Sequence, residues 1–159
     1  MKQKIHPYYF IIIIAVILLF IFIGYTYVVD VDAISKVYAE IDTINSVDFR
    51  LTSSTIIFTI NITNPSNREI QDLSSTYDVY IDMTYIGKGS FSELSIKPMT
   101  SAYQKSTLVV YHQGLANATK NIIENWINYK ETDLIIKGTM HASTLFGLVD
   151  ISHAYIAST

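Results

Sequence analysis

The chain has no cysteine and few charged residues, and each shortage excludes whole classes of protein. Without cysteine there is no disulfide scaffold, thiolate zinc site, iron–sulfur cluster or cysteine nucleophile. Charged residues make up 16% of the 159 residues and hydrophobic residues 50%, which excludes intrinsic disorder and a long charged helix. The net charge is −3, whereas proteins that bind nucleic-acid phosphates are normally basic. We therefore expect no nucleic-acid partner.

Most of the apolar excess lies in the first thirty residues. No charged residue occurs from Ile5 to Val29, and a helix of that length would be about 37 Å long, more than the roughly 30 Å hydrocarbon core of a bilayer. Tyrosines, whose rings suit the headgroup layers, stand at both ends of this run: Tyr8, Tyr9, Tyr25 and Tyr27. Residues 1–29 are therefore predicted to be a short cytoplasmic tip and a transmembrane helix rather than a buried core helix.

The charges that flank this run predict its orientation. Lys2 and Lys4 precede it, and Asp30 and Asp32 follow it, so the positive-inside rule places the N-terminus in the cytoplasm and residues 30–159 outside the cell membrane. The apolar run is longer than that of a usual signal peptide, and no small-residue cleavage site follows it. An uncleaved signal anchor is thus favoured over a cleaved signal peptide. A pilin-like subunit is disfavoured because no glycine cleavage site precedes the helix.

The rest of the chain largely alternates apolar and polar residues, which is typical of strands with one face on a core. Residues 30–43 are expected to form a stalk, and residues 44–159 the outer domain. The apolar positions of the first three predicted strands are Val47, Phe49 and Leu51; Ile56, Phe58, Ile60 and Ile62; and Tyr77, Val79, Ile81 and Met83. Shorter strands are predicted at 107–111, 134–140 and 145–156, and the last two should form a hairpin.

One segment has helical spacing instead. Between Gly114 and Tyr129 the apolar residues fall on a single helical stripe that ends at Trp126, the expected anchor of this helix against the sheets. Asn117 should lie near the centre of the polar side of the helix. Seven or so short strands and one short helix predict a mainly β fold. The expected architecture is an immunoglobulin-like or fibronectin-like antiparallel β-sandwich, preceded by a single N-terminal transmembrane helix.

Three stretches, in this order and spacing, resemble the late-embryogenesis-abundant type 2 family, whose domain is also called the WHy domain (water stress and hypersensitive response). The matching residues are Phe58–Pro65, ending in Asn64 and Pro65; Tyr77–Gly89, ending in Gly87 and Gly89; Ile96–Pro98, ending in Pro98; and Gly138 in the closing strand. The resemblance covers residues 43–156. It implies a non-enzymatic β-sandwich, often membrane-anchored, with loosely described roles in stress or desiccation protection and in contacts with membranes or partners. It also implies that the proline ends a strand and that the glycines form turns.

The familiar catalytic motifs are absent from the sequence. There is no nucleophile elbow, phosphate loop, dinucleotide-binding glycine motif or zinc-protease motif, so neither an enzyme nor a cofactor is expected. His141 and His153 fall on the two strands of the last predicted hairpin, and a metal site could be argued if Asp150 also converged on them. Exposed strand histidines are the simpler interpretation, and no metal site is predicted.

Polar faces of the predicted strands and helix carry the remaining candidates. Asp78 and Asp82 are expected on one solvated strand face, about 13 Å apart and too distant to share a metal directly. Two sequons for N-glycosylation begin at Asn61 and Asn117, and both asparagines are predicted on polar faces. Both sites are therefore candidates for modification on the outer side of a membrane.

The anchor, the family pattern and the missing catalytic motifs together predict a function. We expect a single-pass membrane protein that presents a non-enzymatic interaction or structural module outside the cytoplasm to a protein or another cell-surface partner. The alternative is an accessory subunit of a larger membrane or cell-surface complex, such as a pilus-like, archaellum-like or membrane-enzyme assembly. The composition, rich in Ile, Tyr and Asn and free of cysteine, is compatible with an archaeal surface protein.

Overall fold

The computed structural model describes residues 7–113, 115–129, 133–144 and 147–159. Within these ranges the chain forms two helices and seven strands. In order they are α1 (Pro7–Ser35), β1 (Tyr38–Phe49), β2 (Ser53–Asn64), β3 (Ile70–Ile81), β4 (Thr84–Ile96), β5 (Thr100–Tyr111), α2 (Asn117–Tyr129), β6 (Leu134–Thr144) and β7 (Val149–Ser158). Gly114 and Leu145, expected to begin the second helix and the last strand, lie outside the described residues, as does His6.

The strands form two antiparallel sheets that pack face to face. Sheet A has the order β1-β2-β5, and sheet B has the order β4-β3-β6-β7. The structure therefore confirms the predicted mainly β fold and its sandwich architecture. The alternation in β2 is complete: Ile56, Phe58, Ile60 and Ile62 are fully buried between the sheets, while the residues between them are only half-buried. The pairing of β6 with β7 confirms the predicted hairpin.

The first helix is longer than predicted. It extends over 29 residues, about 43 Å at the usual rise per residue, and every side chain from Tyr8 to Tyr25 is exposed. It is long and apolar enough to cross a membrane. It then continues past Asp30 to Ser35, so the interval 30–43, expected as a stalk, is the end of α1 and the first half of β1. The polar residues of this interval predicted an exposed stalk. Ala33 and Ile34 are nevertheless buried in the core, and they hold the end of the helix there.

The predicted alternation is wrong at the ends of β1 and β3. Phe49 is exposed, and Leu51 lies beyond β1 and is 94% exposed. Met83 is 83% exposed and shares the β3–β4 turn with Asp82, and both residues have positive φ angles. Asp82 therefore does not share a strand face with Asp78. These apolar residues continue a period-two pattern beyond the point where the opposite sheet can cover them.

The two ends of the sandwich differ. We call the end at which α1 joins the sandwich the proximal end. It carries the β2–β3 turn (65–69), the β4–β5 turn (97–99) and the β6–β7 turn, of which residues 147–148 are described. The distal end carries the β1–β2 and β3–β4 turns and helix α2. Ile123 and Trp126 of α2 are buried in the core, which confirms the helix and its anchor. Ala118, assigned to the same stripe, is exposed.

Candidate functional site

Asn64, the first residue of the family-like Asn-Pro pair, is fully buried at the proximal end. Its Nδ2 donates to the carbonyl of Arg68 at 2.7 Å and lies 3.2 Å from the carbonyl of Lys97 in the next turn. Its Oδ1 accepts hydrogen bonds from the backbone N–H and the hydroxyl of Ser66 at 3.0 and 2.7 Å. The predicted strand end at Asn64 is confirmed. The sequence pattern did not predict that the Asn64 amide also connects the β2–β3 and β4–β5 turns, because these turns come together only in the fold.

The β4–β5 turn contains Pro98 and is joined to the same cluster. The backbone N–H of Met99 donates to the carbonyl of Ser66 at 3.0 Å, and Met99 has a positive φ of 56°. Because the proline cannot donate a ladder hydrogen bond, it suits a turn between strands. The two turns are therefore connected through backbone as well as through Asn64.

The glycines of the family-like motif do not form the turn that was predicted for them. Gly87 and Gly89 lie inside β4, while the turn is made by Asp82 and Met83. A bulge does occur beside Gly87, because Val79 pairs with Gly87 whereas the next residue of β3 pairs with Tyr85. The short Gly-x-Gly spacing predicted a turn because glycine is most often required there. Inside β4, Gly89 is instead required for close packing against the Tyr77 ring.

Two glycines and two tyrosines form one row across the inner face of sheet B: Gly89, Tyr77, Gly138 and Tyr155. A Cβ on Gly138 would lie 2.7 Å from both the carbonyl oxygen of Thr76 and the Cβ of Tyr77. A Cβ on Gly89 would overlap the ring of Tyr77. Each tyrosine ring therefore occupies the space over a neighbouring glycine, and this pairing accounts for Gly89 and Gly138 of the motif.

The hydroxyl groups of both tyrosines are satisfied inside the sandwich. Tyr77 hydrogen-bonds with Ser106 of the opposite sheet, and the Tyr155 hydroxyl lies 3.0 Å from the Ser75 hydroxyl. Burial raises the pKa of Tyr155 to about 12, an effect that its hydrogen bond to Ser75 partly opposes. Burial also raises the pKa of Tyr77. These groups therefore stay protonated at neutral pH and serve the packing of the two sheets.

The candidate metal site of the last hairpin is not formed. His141 pairs with Ser152, and His153 pairs with Met140, so the two histidines point to opposite faces of sheet B. The carboxylate of Asp150 accepts a hydrogen bond from the Ser143 hydroxyl at 2.9 Å. Over the described residues, no group of three acidic or histidine side chains is placed to hold a metal ion.

His112, which precedes helix α2 in the sequence, is buried at the distal end. Its Nε2 lies 2.8 Å from the Ser54 hydroxyl, and its Nδ1 lies 3.2 Å from the Leu51 carbonyl oxygen. The ring also packs against Phe49. His112 therefore joins the end of β5 to the β1–β2 turn. No local pattern could have revealed this, because its partners lie about sixty residues away.

The two sequon asparagines occupy unlike positions. Asn61 lies on the outer side of β2, the central strand of sheet A, between Glu40 and Tyr103. It is half-buried, and its Oδ1 is buried without a hydrogen-bond partner. Asn117 is exposed and is the first residue of α2. Of the two, Asn117 is the more accessible to a glycosylating enzyme.

Asp78, unlike Asp82, lies on a strand of sheet B as predicted. The carboxylate of Asp78 lies 3.9 Å from the ammonium group of Lys88 on β4. Lys137 is paired with Asp78 from the other side, and its ammonium group lies 5.1 Å from the centre of the Tyr80 ring. This is the solvated outer face that the sequence predicted for Asp78.

At the proximal end, the junction between α1 and the sandwich combines an ion pair with apolar packing. Arg68, in the β2–β3 turn, donates to Oδ1 of Asp30 from Nε at 3.1 Å and from Nη2 at 2.7 Å. The Asp30 side chain is 19% exposed. One turn further along the helix, Ala33 and Ile34 are each 3% exposed against the core. The helix is therefore held to the sandwich by an ion pair and by apolar packing, with no flexible linker between them.

A half-open groove of about 500 Å³ lies beside this junction. It separates α1 from the β2–β3 and β6–β7 turns, and its described lining includes Thr26, Asp30, Arg68, Asp72, Thr144 and Gly147. Thr144 is 4% exposed, and its hydroxyl oxygen has no hydrogen-bond partner. The groove can offer hydrogen bonds and negative charge. Its described lining residues include no histidine and no cysteine that could act as a general base or nucleophile.

The sequence matches no protein-family model and no curated protein. The fold is similar to the solution structure of a protein from Arabidopsis thaliana, with a TM-score of 0.51 and 15% identity over 76% of this chain and 74% of that chain. A crystal structure of a protein from Archaeoglobus fulgidus aligns with a TM-score of 0.39 and 12% identity, covering 78% of this chain and 92% of that one. The first likeness shows a shared fold.

Proposed function

We propose that this protein is a single-pass membrane protein that holds a non-enzymatic interaction module, a β-sandwich of the late-embryogenesis-abundant type 2 kind, outside the cytoplasm. One observation carries the proposal. Helix α1, apolar and exposed from Tyr8 to Tyr25, runs without interruption into the sandwich and is fastened there by Asp30, Arg68 and Ile34. Such a joint holds the module at a fixed angle to its anchor, which suits a module that presents a surface.

Membrane insertion is supported by the energetics of α1. Its large apolar side chains from Phe10 to Ile23 are 40% to 70% exposed. Burying a large apolar side chain stabilises by about 1.5–3 kcal/mol, so a run of this length would be strongly unfavourable in water. A bilayer removes this cost, and a helix satisfies its own backbone hydrogen bonds there. The lysines before the helix and the aspartates that follow its apolar part support an outer location for the sandwich.

A non-enzymatic role is supported by the hydrogen bonds that the buried polar side chains make within the sandwich. Ser54, Asn64, Ser75 and His112 are buried, and each hydrogen-bonds to another part of the sandwich. Catalytic groups, in contrast, must meet a substrate in a cleft. The family-like residues Asn64 and Gly138 likewise serve packing, as the resemblance implies for a structural module. The surface that a protein, glycan or lipid would meet is therefore the part of the molecule left free for function.

The absence of cysteine allows a clean test of topology. Single cysteines are introduced as Gln3→Cys before α1 and as Ser152→Cys on the exposed side of β7. A membrane-impermeant maleimide added to intact cells should label position 152 at once and position 3 only after the cells are opened. The reverse pattern would place the sandwich in the cytoplasm, and labelling of both positions in soluble extract would contradict membrane anchorage.

A second candidate, an accessory subunit of a larger complex, is favoured by the outer face of β5. This edge strand of sheet A exposes Tyr103, Val109 and Tyr111, which are 63%, 44% and 71% exposed. Exposed aromatic residues beside an unpaired strand edge are typical of protein interfaces. Purification of the full chain in mild detergent should then yield a stoichiometric partner that Tyr103→Ser with Tyr111→Ser releases and Tyr85→Ser on β4 does not. A lone monomer would contradict this candidate.

A further inference from the structure

Two turns of the proximal end expose apolar side chains at their tips. Leu148, in the β6–β7 turn, is 82% exposed, and Met99, in the β4–β5 turn, is 72% exposed. Charges are mixed at this end: Arg68 and Lys97 are basic, whereas Asp30, Glu69 and Asp72 are acidic. An exposed apolar tip on a turn has no packing role in the sandwich itself. What these two side chains contact therefore depends on where their turns lie relative to α1.

Both turns are connected to the segment of α1 that follows its apolar part. Thr26 of α1 and Gly147 of the β6–β7 turn line the same groove. Met99 donates its N–H to Ser66 in the β2–β3 turn, which in turn is held to α1 by the Arg68–Asp30 ion pair. The contacts thus connect both apolar tips to the segment of α1 from Thr26 to Asp30.

The distance available beneath the sandwich is short. Tyr25 and Tyr27 mark the headgroup level on α1, and the core begins at Ala33. Six residues separate Tyr27 from Ala33, a rise of about 9 Å along a helix. A headgroup layer is about 5–7 Å thick, from the difference between the full bilayer and its hydrocarbon core. The β6–β7 turn, which lines one groove with Thr26, therefore falls at the headgroup layer. The β4–β5 turn is connected through Ser66 and Arg68 to Asp30, about 4.5 Å above Tyr27 along the helix.

We propose that the proximal end of the sandwich rests on the same bilayer that α1 crosses, with Leu148 and Met99 inserted at the boundary between headgroups and acyl chains. This inference rests on the proposed membrane anchorage. The partner of these apolar tips is lipid because their turns are connected to α1 beside Thr26 and Asp30, and the short rise from Tyr27 to the core leaves no room for another layer. Since acidic residues outnumber basic ones at this end, apolar insertion drives the contact, and attraction to anionic lipid does not.

The test uses the full-length chain in vesicles of phosphatidylcholine. Three single-cysteine variants, Leu148→Cys, Met99→Cys and Met83→Cys, receive the same environment-sensitive dye. Met83 is the matched control, since it is an apolar turn residue that is 83% exposed at the distal end. A spin-labelled lipid should quench the dye at positions 148 and 99 several-fold more strongly than at position 83. All three positions are exposed in turns, so the label should leave the fold intact.

A fourth variant separates this inference from the proposed function. A dye on Leu18→Cys, in the middle of α1, is quenched strongly if the helix spans the bilayer. Quenching at 18 with no more quenching at 148 and 99 than at 83 would overturn the inference and leave the anchor standing. Weak quenching at 18 would overturn the anchorage itself. Addition of phosphatidylglycerol, or high salt, should change nothing at 148 and 99, and quenching that needs the anionic lipid would overturn apolar insertion.

Discussion

At Gly138 a hydrogen atom in place of a methyl group allows Tyr77 and Tyr155 to lie side by side in one layer. The strands that carry the two tyrosines flank β6, and the space that a Cβ would fill is taken by the backbone of β3 and by the edge of the Tyr155 ring. The contact with backbone cannot be relieved by rotation of a side chain. The glycine is therefore required by close approach and not by an unusual backbone conformation.

Substitution of this glycine should be costly. Gly138→Ala is expected to destabilise the protein by about 1–3 kcal/mol, the usual cost of overpacking a core, measured by chemical unfolding of the full chain in detergent. Gly87→Ala is the matched control, because its new methyl group would meet only the movable tip of the Leu108 side chain, at 2.7 Å. Equal losses for both variants would show that close packing against backbone is not the reason for Gly138.

Burial of Tyr155 predicts a loss of stability in alkali. Its pKa is 10.0 when free and about 12 in the folded protein, so the folded state holds the phenolic proton more tightly. The stabilisation is complete below pH 10 and disappears as the pH rises through 12, a change of about 2–3 kcal/mol. Unfolding measured across this range should show the decline, and Tyr155→Phe should flatten it. An unchanged slope in the variant would contradict the assignment.

Helix α2 carries the single tryptophan, and the side chain is 3% exposed. Removal of a buried large aromatic ring leaves a cavity, so Trp126→Ala should cost about 3–5 kcal/mol in unfolding experiments. Fluorescence of the unmodified protein should be blue-shifted and move to the red on unfolding. Ala118→Ser, on the exposed side of the same helix, is the control and should be nearly neutral. Red-shifted emission from the folded protein would contradict burial.

The joint of α1 with the sandwich makes a separate prediction. Arg68→Ala leaves the carboxylate of Asp30, 19% exposed, without its partner, so we expect a loss of about 1 kcal/mol or more. Asp30→Asn in addition should restore part of this loss in a double-mutant cycle. The control is Arg50→Ala, whose ion pair with Asp48 is well exposed and should contribute little. Equal effects at both arginines would show that the junction is no stronger than a surface contact.

The elements differ in how far the sequence could predict them. The β2 strand was predictable because it is the central strand of sheet A and its apolar face packs in the core between the sheets, so alternation and burial coincide. The end of α1 was not predictable, because the burial of Ala33 and Ile34 depends on turns that come together only in the fold. The structural roles of Asn64, Gly138 and His112 were hidden for the same reason. Each depends on partners from distant strands, and a local pattern contains no such information.

At the scale of the whole molecule there is no clean boundary between helix α1 and the sandwich. Ala33, Ile34 and Val37 belong to the core of the sandwich although they lie in or just after α1. A shortened chain that begins at Asp30 should therefore fold and be rich in β structure by circular dichroism. One that begins at Tyr38 loses those three side chains and the partner of Arg68, and it should melt at a markedly lower temperature. Equal melting temperatures would show that the helix end does not support the sandwich.

The direct junction of α1 with the sandwich also determines how far the distal end lies from the helix. Strands of 12 residues, such as β2 and β3, extend about 40 Å at the usual rise per residue. In the proposed membrane-anchored protein, this joint would hold the distal turn around Met83 at a height of that order above the lipid. A domain on a flexible linker could meet partners at any height, whereas this one would meet them only in a thin layer parallel to the membrane. A neighbour anchored in the same membrane would then have to be of similar height to touch its distal end.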